Sequence, residues 1–421
     1  LLLYRFVLLL LRLGLLVAGL FGVRKARKAI QGRRGWSKRW ASADVKARQN
    51  GRKGSWIHLH CASLGEFEQG AEVMAALRRH QPQRPILLTF FSPSGVEGAF
   101  APEADHVDYL PFDSGPAMRR FASTVEIGDS ILVKYELWPG LIQALHRSGT
   151  RVHLVAARFD HGKHPLNASG FLVRSAMRQL TTLQTQDIAS RDVLSDWGFD
   201  SLMTGDPRVD RVQQTRRIEP PGEVATALTA MQEWANGRRV IVVGSAWPPE
   251  WECLQAILDG HPEWCAWVAP HEVDAAHARQ WGRTEGTTTL TALENPEIAA
   301  PAGKVLIMDR IGILKFAYRR GQFAIVGGGW GKGVHNTLEP AAFGLPVLFG
   351  PAIGGFREID ALMEVGAARM CANRGELTAH ARHWMEDDVK LQHSGNAART
   401  WVDEQSGAAE RIVKEVLRHI Q

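Results

Sequence analysis

The sequence predicts an α/β chain made of two halves, each a parallel sheet wound with helices, and three observations predict it. From residue 55 onward, short apolar runs alternate with stretches of helical period, the pattern of parallel strands joined by crossover helices. The alternation halts at TGDPRVDRVQQTRRIEPPGEV, where Pro220 and Pro221 stand among charges, and then restarts. The chain has 421 residues, more than one core usually organises, so two domains joined near 206–222 suit its length.

Residues 1–43 precede this pattern and differ from it. They open with LLLYRFVLLLLRLGLLVAGLFGV and continue with RKARKAIQGRRGWSKRW, holding ten Lys and Arg and no acid before Asp44. The whole chain carries +6, so residues 44–421 carry −4. A basic, greasy N-terminus on a slightly acidic body excludes a duplex-binding surface, which needs Lys and Arg on the domain that reads the nucleic acid. The apolar run is about long enough to span a bilayer as a helix. Arg5 and Arg12 interrupt it, and seven residues apart they share one helical face, which suits a helix lying in the membrane interface. Trp36 and Trp40, interleaved with the basic cluster, read as an anchor to anionic lipid. No A-x-A-like cleavage site precedes the cluster, which disfavours a signal peptide. The expected role of residues 1–43 is membrane association, by spanning or by lying flat.

In order, the candidate strands of the first half are WIHLH (56–60), ILLTF (86–90), ILVK (131–134) and VHLVA (152–156). Those of the second are RVIVVG (239–244), CAWVA (265–269), KVLIM (304–308), FAIVGGG (323–329) and PVLFG (346–350). The predicted organisation is a first domain at 44–205, a linker at 206–222 and a second domain at 223–421, whose last helix could pack back on the first domain. Cys61, Cys253, Cys265 and Cys371 are scattered with no C-x-x-C, which fits reduced structural thiols and excludes a disulfide framework or zinc knuckle.

Ligands of open α/β sheets gather outside the carboxyl ends of the strands. The polar residues there are Ser63–Glu66, Ser92–Ser94, Glu136, Arg158, Ser245, His271 and the loop from Gly327. Ser63 and Glu66 in HCASLGEFEQG have the spacing of a helix capping box, in which the Glu66 carboxylate folds back on the Ser63 N–H. The alternative is a general base aimed at a substrate hydroxyl. Local spacing favours the cap.

The densest polar stretch is VGGGWGKGVHNTLEPAAFGLPVLFGP, where a strand opens into glycines followed by His335, Asn336, Thr337, Leu338 and Glu339. Backbone without Cβ atoms and a helix start suit a phosphate, and Glu339 suits ribose hydroxyls. Neither G-x-G-x-x-G nor G-x-x-x-x-G-K-[ST] is present, which excludes the dinucleotide fingerprint and the P-loop. No D-x-D pair or His/Asp cluster has ligand spacing, so no metal or other cofactor is expected.

With HCASLGEFEQG, LLTFFSPSG, VKYELWPGLI, TGDPRVDRV, VAPHEVD and the glycine stretch in this order, the chain resembles the 3-deoxy-D-manno-octulosonic acid (Kdo) transferases of lipopolysaccharide synthesis, in their Bacteroidetes-like branch. The resemblance runs from the N-terminus to about residue 370. It implies a GT-B glycosyltransferase, two Rossmann-like domains with a cleft between them, acceptor bound by the first and CMP-sugar donor by the second. It also implies an inverting reaction with CMP-Kdo as donor and the lipid A precursor as acceptor, at the cytoplasmic face of the bacterial inner membrane.

Residue by residue, the resemblance makes Glu66 the proton acceptor and overturns the local preference for a cap. It makes Glu136 of ELWP and Arg208 transition-state stabilisers. It assigns CMP to Pro270 and His271, to Ile311, Gly312 and Ile313, and to Asn336, Thr337, Leu338 and Glu339. Ser245, Lys332 and Gly333 are candidate donor contacts. Two positions depart from the family pattern: Ile313 stands where many members have an acid, and Pro270 where many have Arg. Two other readings stay open, a GT-B enzyme with a UDP-sugar donor and a nucleotide-sugar binding protein without catalysis.

Overall fold

A computed structural model describes residues 2–160, 170–273, 276–295 and 303–418. The chain forms two bodies, Leu1–Arg211 with Ser406–Gln421, and Val212–Gln405. The stretch expected to be a linker is helical over Pro207–Arg217, and the division falls inside that helix. The helix Ala408–Arg418 belongs to the first body: the Asp210 carboxylate accepts the Gly407 and Ala409 N–H groups at its start (2.5 and 2.7 Å), and Ile412, Val413 and Val416 are buried.

The first body holds seven strands, β1 (Trp56–Cys61), β2 (Ile86–Phe90), β3 (His106–Tyr109), β4 (Ile127–Val133), β5 (Arg151–Ala157), β6 (Thr182–Thr185) and β7 (Leu202–Met203). They form one parallel sheet in the order β3-β2-β1-β4-β5-β6-β7. β1 is buried along its whole length, as a central strand covered on both faces must be. Leu59, Val73, Leu88 and Val413 pack on one face, and Phe121, Leu132, Leu145 and Leu154 on the other. Strand order reverses between β1 and β4, so the crevice that binds ligands in such sheets opens past Cys61 and Val133.

The second body repeats the plan with β8 (Arg239–Ala246), β9 (Trp264–Pro270), β10 (Thr287–Thr289), β11 (Val305–Ile307), β12 (Phe323–Val326), β13 (Val347–Phe349) and β14 (Ala368–Met370). The order is β10-β11-β9-β8-β12-β13-β14, all parallel, with the reversal between β8 and β12. Gly327 closes β12, and a Cβ there would lie 2.1 Å from the Ser245 carbonyl, so only glycine lets the two strand ends approach this closely.

The N-terminal 43 residues are not a separate segment. Helix Trp36–Gln49 crosses the expected boundary. Trp40, read as a lipid anchor, is buried instead: its ring packs on Phe121 (4.4 Å between centroids) and its indole N–H donates to Asp108 (3.0 Å). Arg33 is buried as well, donating to the carbonyls of Leu110, Ala29 and Phe91. Helix Leu2–Leu20 touches this body where Tyr4 O–H donates to Asp113 and Arg12 lies over Phe112, while Leu10, Leu13 and Val17 are exposed. Among the described residues no helix is long and apolar enough to cross a membrane.

Candidate active site

In the first body the turn after β1 delivers Glu66. Ser63 is the helix N-cap with extended backbone, but its side chain makes no cap hydrogen bond. The Glu66 carboxylate accepts from the Ala62 N–H through Oε2 (2.5 Å), one residue earlier than a capping box requires. Oε1 has no hydrogen-bond partner among the described residues. Burial, and then the charge of Glu136, push this carboxyl up to about 7; the Ala62 N–H and Lys134 oppose the rise. The side chain thus combines a turn-closing contact with the affinity for protons that a general base at neutral pH needs.

Glu136 follows β4 and is buried. Its Oε2 lies 3.0 Å from His60 Nε2 and accepts the Trp138 indole N–H (2.5 Å). Behind it runs a buried chain: His60 Nδ1 to Thr89 Oγ1 (2.9 Å), Thr89 Oγ1 to His58 Nε2 (2.8 Å), and His58 Nδ1 to Ser130 Oγ (2.8 Å). The protons can be placed so that every link is satisfied. Ser130 donates to His58, His58 to Thr89, Thr89 to His60 and His60 to Glu136. Burial, reinforced by His60, holds His58 far below the usual imidazole range, which keeps it neutral.

Arg208 lies in the first turn of the helix after β7, and Asp206 holds it: the Arg208 guanidinium donates to Asp206 Oδ2 (2.8 and 2.6 Å) and its backbone N–H to Oδ1 (2.9 Å). Charge links these residues into one cluster, since Lys134 feels Arg208, Glu66, Asp206 and Arg158. The three expected catalytic residues therefore share one edge of the first body. Lys134, His60 and Asp206, which completes the set, lie inside the motifs quoted above, but His60 and Lys134 find their partners on strands distant in sequence.

In the second body a cavity of about 580 Å³ opens at the strand carboxyl ends, lined by Ser245, Pro270, His271, Ile311, Gly312 and Arg310. Its size suits a nucleotide. A larger cavity, about 1220 Å³, opens at the opposite ends of the same strands beside Arg238 and Lys304, away from the crevice that the topology assigns to ligands. Ile313, expected among the CMP contacts, points its side chain into the core. Leu338 is buried too, and Thr337 is buried with its hydroxyl unpaired among the described residues. The Asn336 amide donates to Glu339 (3.2 Å), and its carbonyl oxygen accepts the Leu338 N–H (3.0 Å).

An aromatic column lies at the same edge. His271 stacks on Trp247 and on His335, each at 4.5 Å between centroids, and the Lys332 ammonium stands 5.6 Å from the Trp247 ring. Burial, and then His271, lower the pKa of His335. Glu250, fully buried, ties the loops together by accepting the N–H groups of Trp247 (2.9 Å) and Gly328 (3.1 Å). Trp247, Glu250 and Arg310 stood outside the sequence-predicted set; the only signal for them was position just after a strand. Asp274, at the end of VAPHEVD, lies outside the described residues. Among the described residues no group of three or more His, Cys, Asp or Glu is placed to hold a metal ion.

Known proteins resemble this chain along most of its length. The family model described as 3-Deoxy-D-manno-octulosonic-acid transferase (kdotransferase) matches residues 30–211. A 3-deoxy-D-manno-octulosonic acid transferase of Haemophilus influenzae is 24% identical over 370 residues, 85% of either chain. One of Bordetella pertussis is 25% identical over 85% of this chain and 86% of its own. One of Aquifex aeolicus is 26% identical over 76% of this chain and 83% of its own. In fold the chain is similar to UDP-GlcNAc 2-epimerase of Neisseria meningitidis (TM-score 0.63, 11% identity, 86% of this chain and 100% of that one). The enzyme of the same name from Methanocaldococcus jannaschii gives a TM-score of 0.51 at 11% identity, over 83% of this chain and 99% of that one. Over the matched residues 30–211, and along 76–85% of its length, the chain is similar to proteins of one name, the 3-deoxy-D-manno-octulosonic acid (Kdo) transferases.

Proposed function

We propose that this chain is an inverting GT-B glycosyltransferase that moves Kdo from CMP-Kdo to a lipid A precursor in lipopolysaccharide synthesis. The observation that carries the reading is Glu66, a carboxylate at the switch point of the first sheet whose proton affinity burial raises to about 7. In this reaction Glu66 takes the proton of an acceptor sugar hydroxyl, and the oxygen attacks the anomeric carbon from the face opposite the phosphate. The bond from that carbon to the phosphate oxygen breaks, and CMP leaves with the bonding electron pair. Glu136 and Arg208 stabilise the transition state, Arg208 by countering negative charge as it develops.

The donor nucleotide occupies the cavity lined by Ser245, Pro270, His271, Ile311 and Gly312, and Asn336, Glu339, Lys332 and Gly333 reach it from the glycine loop. Ile313, Thr337 and Leu338 serve through backbone and packing, because their side chains face inward. The leaving group is a monophosphate, which backbone amides and one or two basic side chains can stabilise.

Helix Leu2–Leu20 lies in the interface of the inner membrane's cytoplasmic leaflet, its exposed leucines toward lipid, next to an anionic lipid acceptor. Support comes from the exposed apolar residues and from the absence of acids before Asp44.

The test is mass spectrometry of a lipid A precursor incubated with the purified chain and CMP-Kdo made in situ. A mass increase of one or more Kdo units, abolished by Glu66→Gln, is the expected result. No increase, or thermal stabilisation by UDP and not CMP, defeats the reading.

A further inference from the structure

Lys134 has no task in the mechanism above, yet its placement is costly. Its φ is 69°, the left-handed region that a residue with a Cβ occupies at about 1 kcal/mol or more. The Lys134 N–H donates to the Val155 carbonyl (2.9 Å), which holds the backbone there. Register fixes its neighbours. β1 pairs His60 with Leu132, and two residues further along each chain segment stand Ala62, whose N–H grips Glu66, and Lys134. β4 pairs Val133 with Val155, so on its other side Lys134 faces the end of β5, where Ala156 also has positive φ (50°) and Arg158 follows.

The ammonium is half-buried, and its one recorded contact among the described residues is the Tyr135 ring, 5.3 Å to the centroid. It makes no ion pair or hydrogen bond with a described residue, while nearby Arg208 is engaged by Asp206. Burial and the charge of Arg208 lower its pKa, and Glu66 and Asp206 oppose this. A strained, half-buried cation without a fixed counter-charge, set against the turn of Glu66, is incomplete until an anion arrives.

We propose that Lys134 binds a substrate oxyanion at the carboxyl edge of the first sheet. The inference rests on the transferase reading, in which two such groups exist: the carboxylate of the transferred sugar acid and a phosphate of the acceptor lipid. Lys134 gives either one a charge-assisted hydrogen bond beside the base.

Initial rates of the full-length chain, Lys134→Met and Lys134→Arg test it, with CMP-Kdo made in situ and with phosphorylated or dephosphorylated acceptor. Lys134→Met should raise KM for one substrate about tenfold or more, the size of one lost hydrogen bond to a charged group, and Lys134→Arg should restore most of it. A donor KM effect that persists on the dephosphorylated acceptor identifies the carboxylate. An acceptor KM effect that vanishes there identifies the phosphate. Unchanged KM for both substrates, or a loss confined to kcat, overturns the proposal while wild-type turnover keeps the transferase reading intact. Absence of wild-type turnover defeats that reading and the proposal together. Lys134→Gln carries the same comparison if the methionine variant does not fold.

Discussion

His60 Nε2 and Glu136 Oε2 lie 3.0 Å apart inside the first body, and the Trp138 indole N–H reaches the same oxygen. Both donors face a buried carboxylate, so together they satisfy that oxygen and fix its position. His60→Phe removes one of them, and Glu136 is then free to swing away from Glu66. Glu66 loses the neighbouring negative charge that raises its own proton affinity. The expected result is a kcat lowered about tenfold, with the acid limb of the pH–rate profile displaced to lower pH. A purely structural defect would lower the yield of folded protein and leave the limb where it was.

Glu66 supplies a second pair of outcomes. A general base acts deprotonated, so the wild-type rate should fall as pH drops through about 7, and Glu66→Gln should lose this limb along with roughly 10²–10⁴-fold of kcat. Stability runs the other way. The folded pKa lies above the unfolded value, so the folded state binds more protons between the two, and stability declines as pH rises from about 4.3 through 7. Glu66→Gln should therefore be more stable than wild type at pH 8, by about 1–2 kcal/mol after discounting for solvent, and not at pH 4. Urea unfolding at both pH values measures this. Equal stability at pH 8 would show that Glu66 is not strained by burial.

Much of this edge could be read from the sequence because central parallel strands are buried on both faces and read as apolar runs. β1, β2, β8 and β9 were legible for that reason. β3, β6, β7, β10 and β14 were not: HVDY, TLQT, LM, TTT and ARM are short, all but β6 lie at a sheet edge, and in β6 Thr182 and Gln184 are buried through hydrogen bonds rather than apolarity. Trp40 was misread because a tryptophan among basic residues gives one pattern whether it meets lipid or core. Its partners Phe121 and Asp108 lie far along the chain. The same distance hid His60, which depends on Thr89, and Lys134, which depends on Val155. Glu66 is the mixed case. Spacing suggested a cap, the family motif suggested a base, and the carboxylate closes its own turn through one oxygen while the other stays unpaired among the described residues.

The glycine loop of the second body depends on Glu250. Its two oxygens take the Trp247 and Gly328 N–H groups, and an amide offers only one acceptor atom for the two. Glu250→Gln should cost about 1–3 kcal/mol by leaving one buried N–H unpaired. It should also weaken CMP binding, read as a smaller CMP-induced rise in Tm. Gly327→Ala, whose Cβ would sit 2.1 Å from the Ser245 carbonyl, should abolish that rise. A full CMP response in either variant would remove the loop from the donor site.

Asp129 sits at the opposite end of β4 from Lys134 and Glu136, and it sets the position of that strand. It is fully buried and accepts from Arg84 (2.7 Å) and Arg151 (2.7 and 3.0 Å), its register partner on β5. Burial alone would raise its pKa; hydrogen bonds from His153, Arg151 and Arg84 outweigh burial and hold it well below the usual carboxylate range. A depressed folded pKa contributes stability that is fully present above the unfolded value, about 3.9, and is lost as pH falls further. Asp129→Asn leaves two arginines facing a neutral group and should cost about 3 kcal/mol or more at pH 7, with the gap to wild type narrowing below pH 4. Because the lesion is remote from Glu66, the acid limb of the variant's pH–rate profile should stay at the wild-type position in whatever fraction remains folded. A displaced limb would mean that the hold on the amino end of β4 reaches its carboxyl end, and that the strand moves as a rigid rod between the arginines and the base.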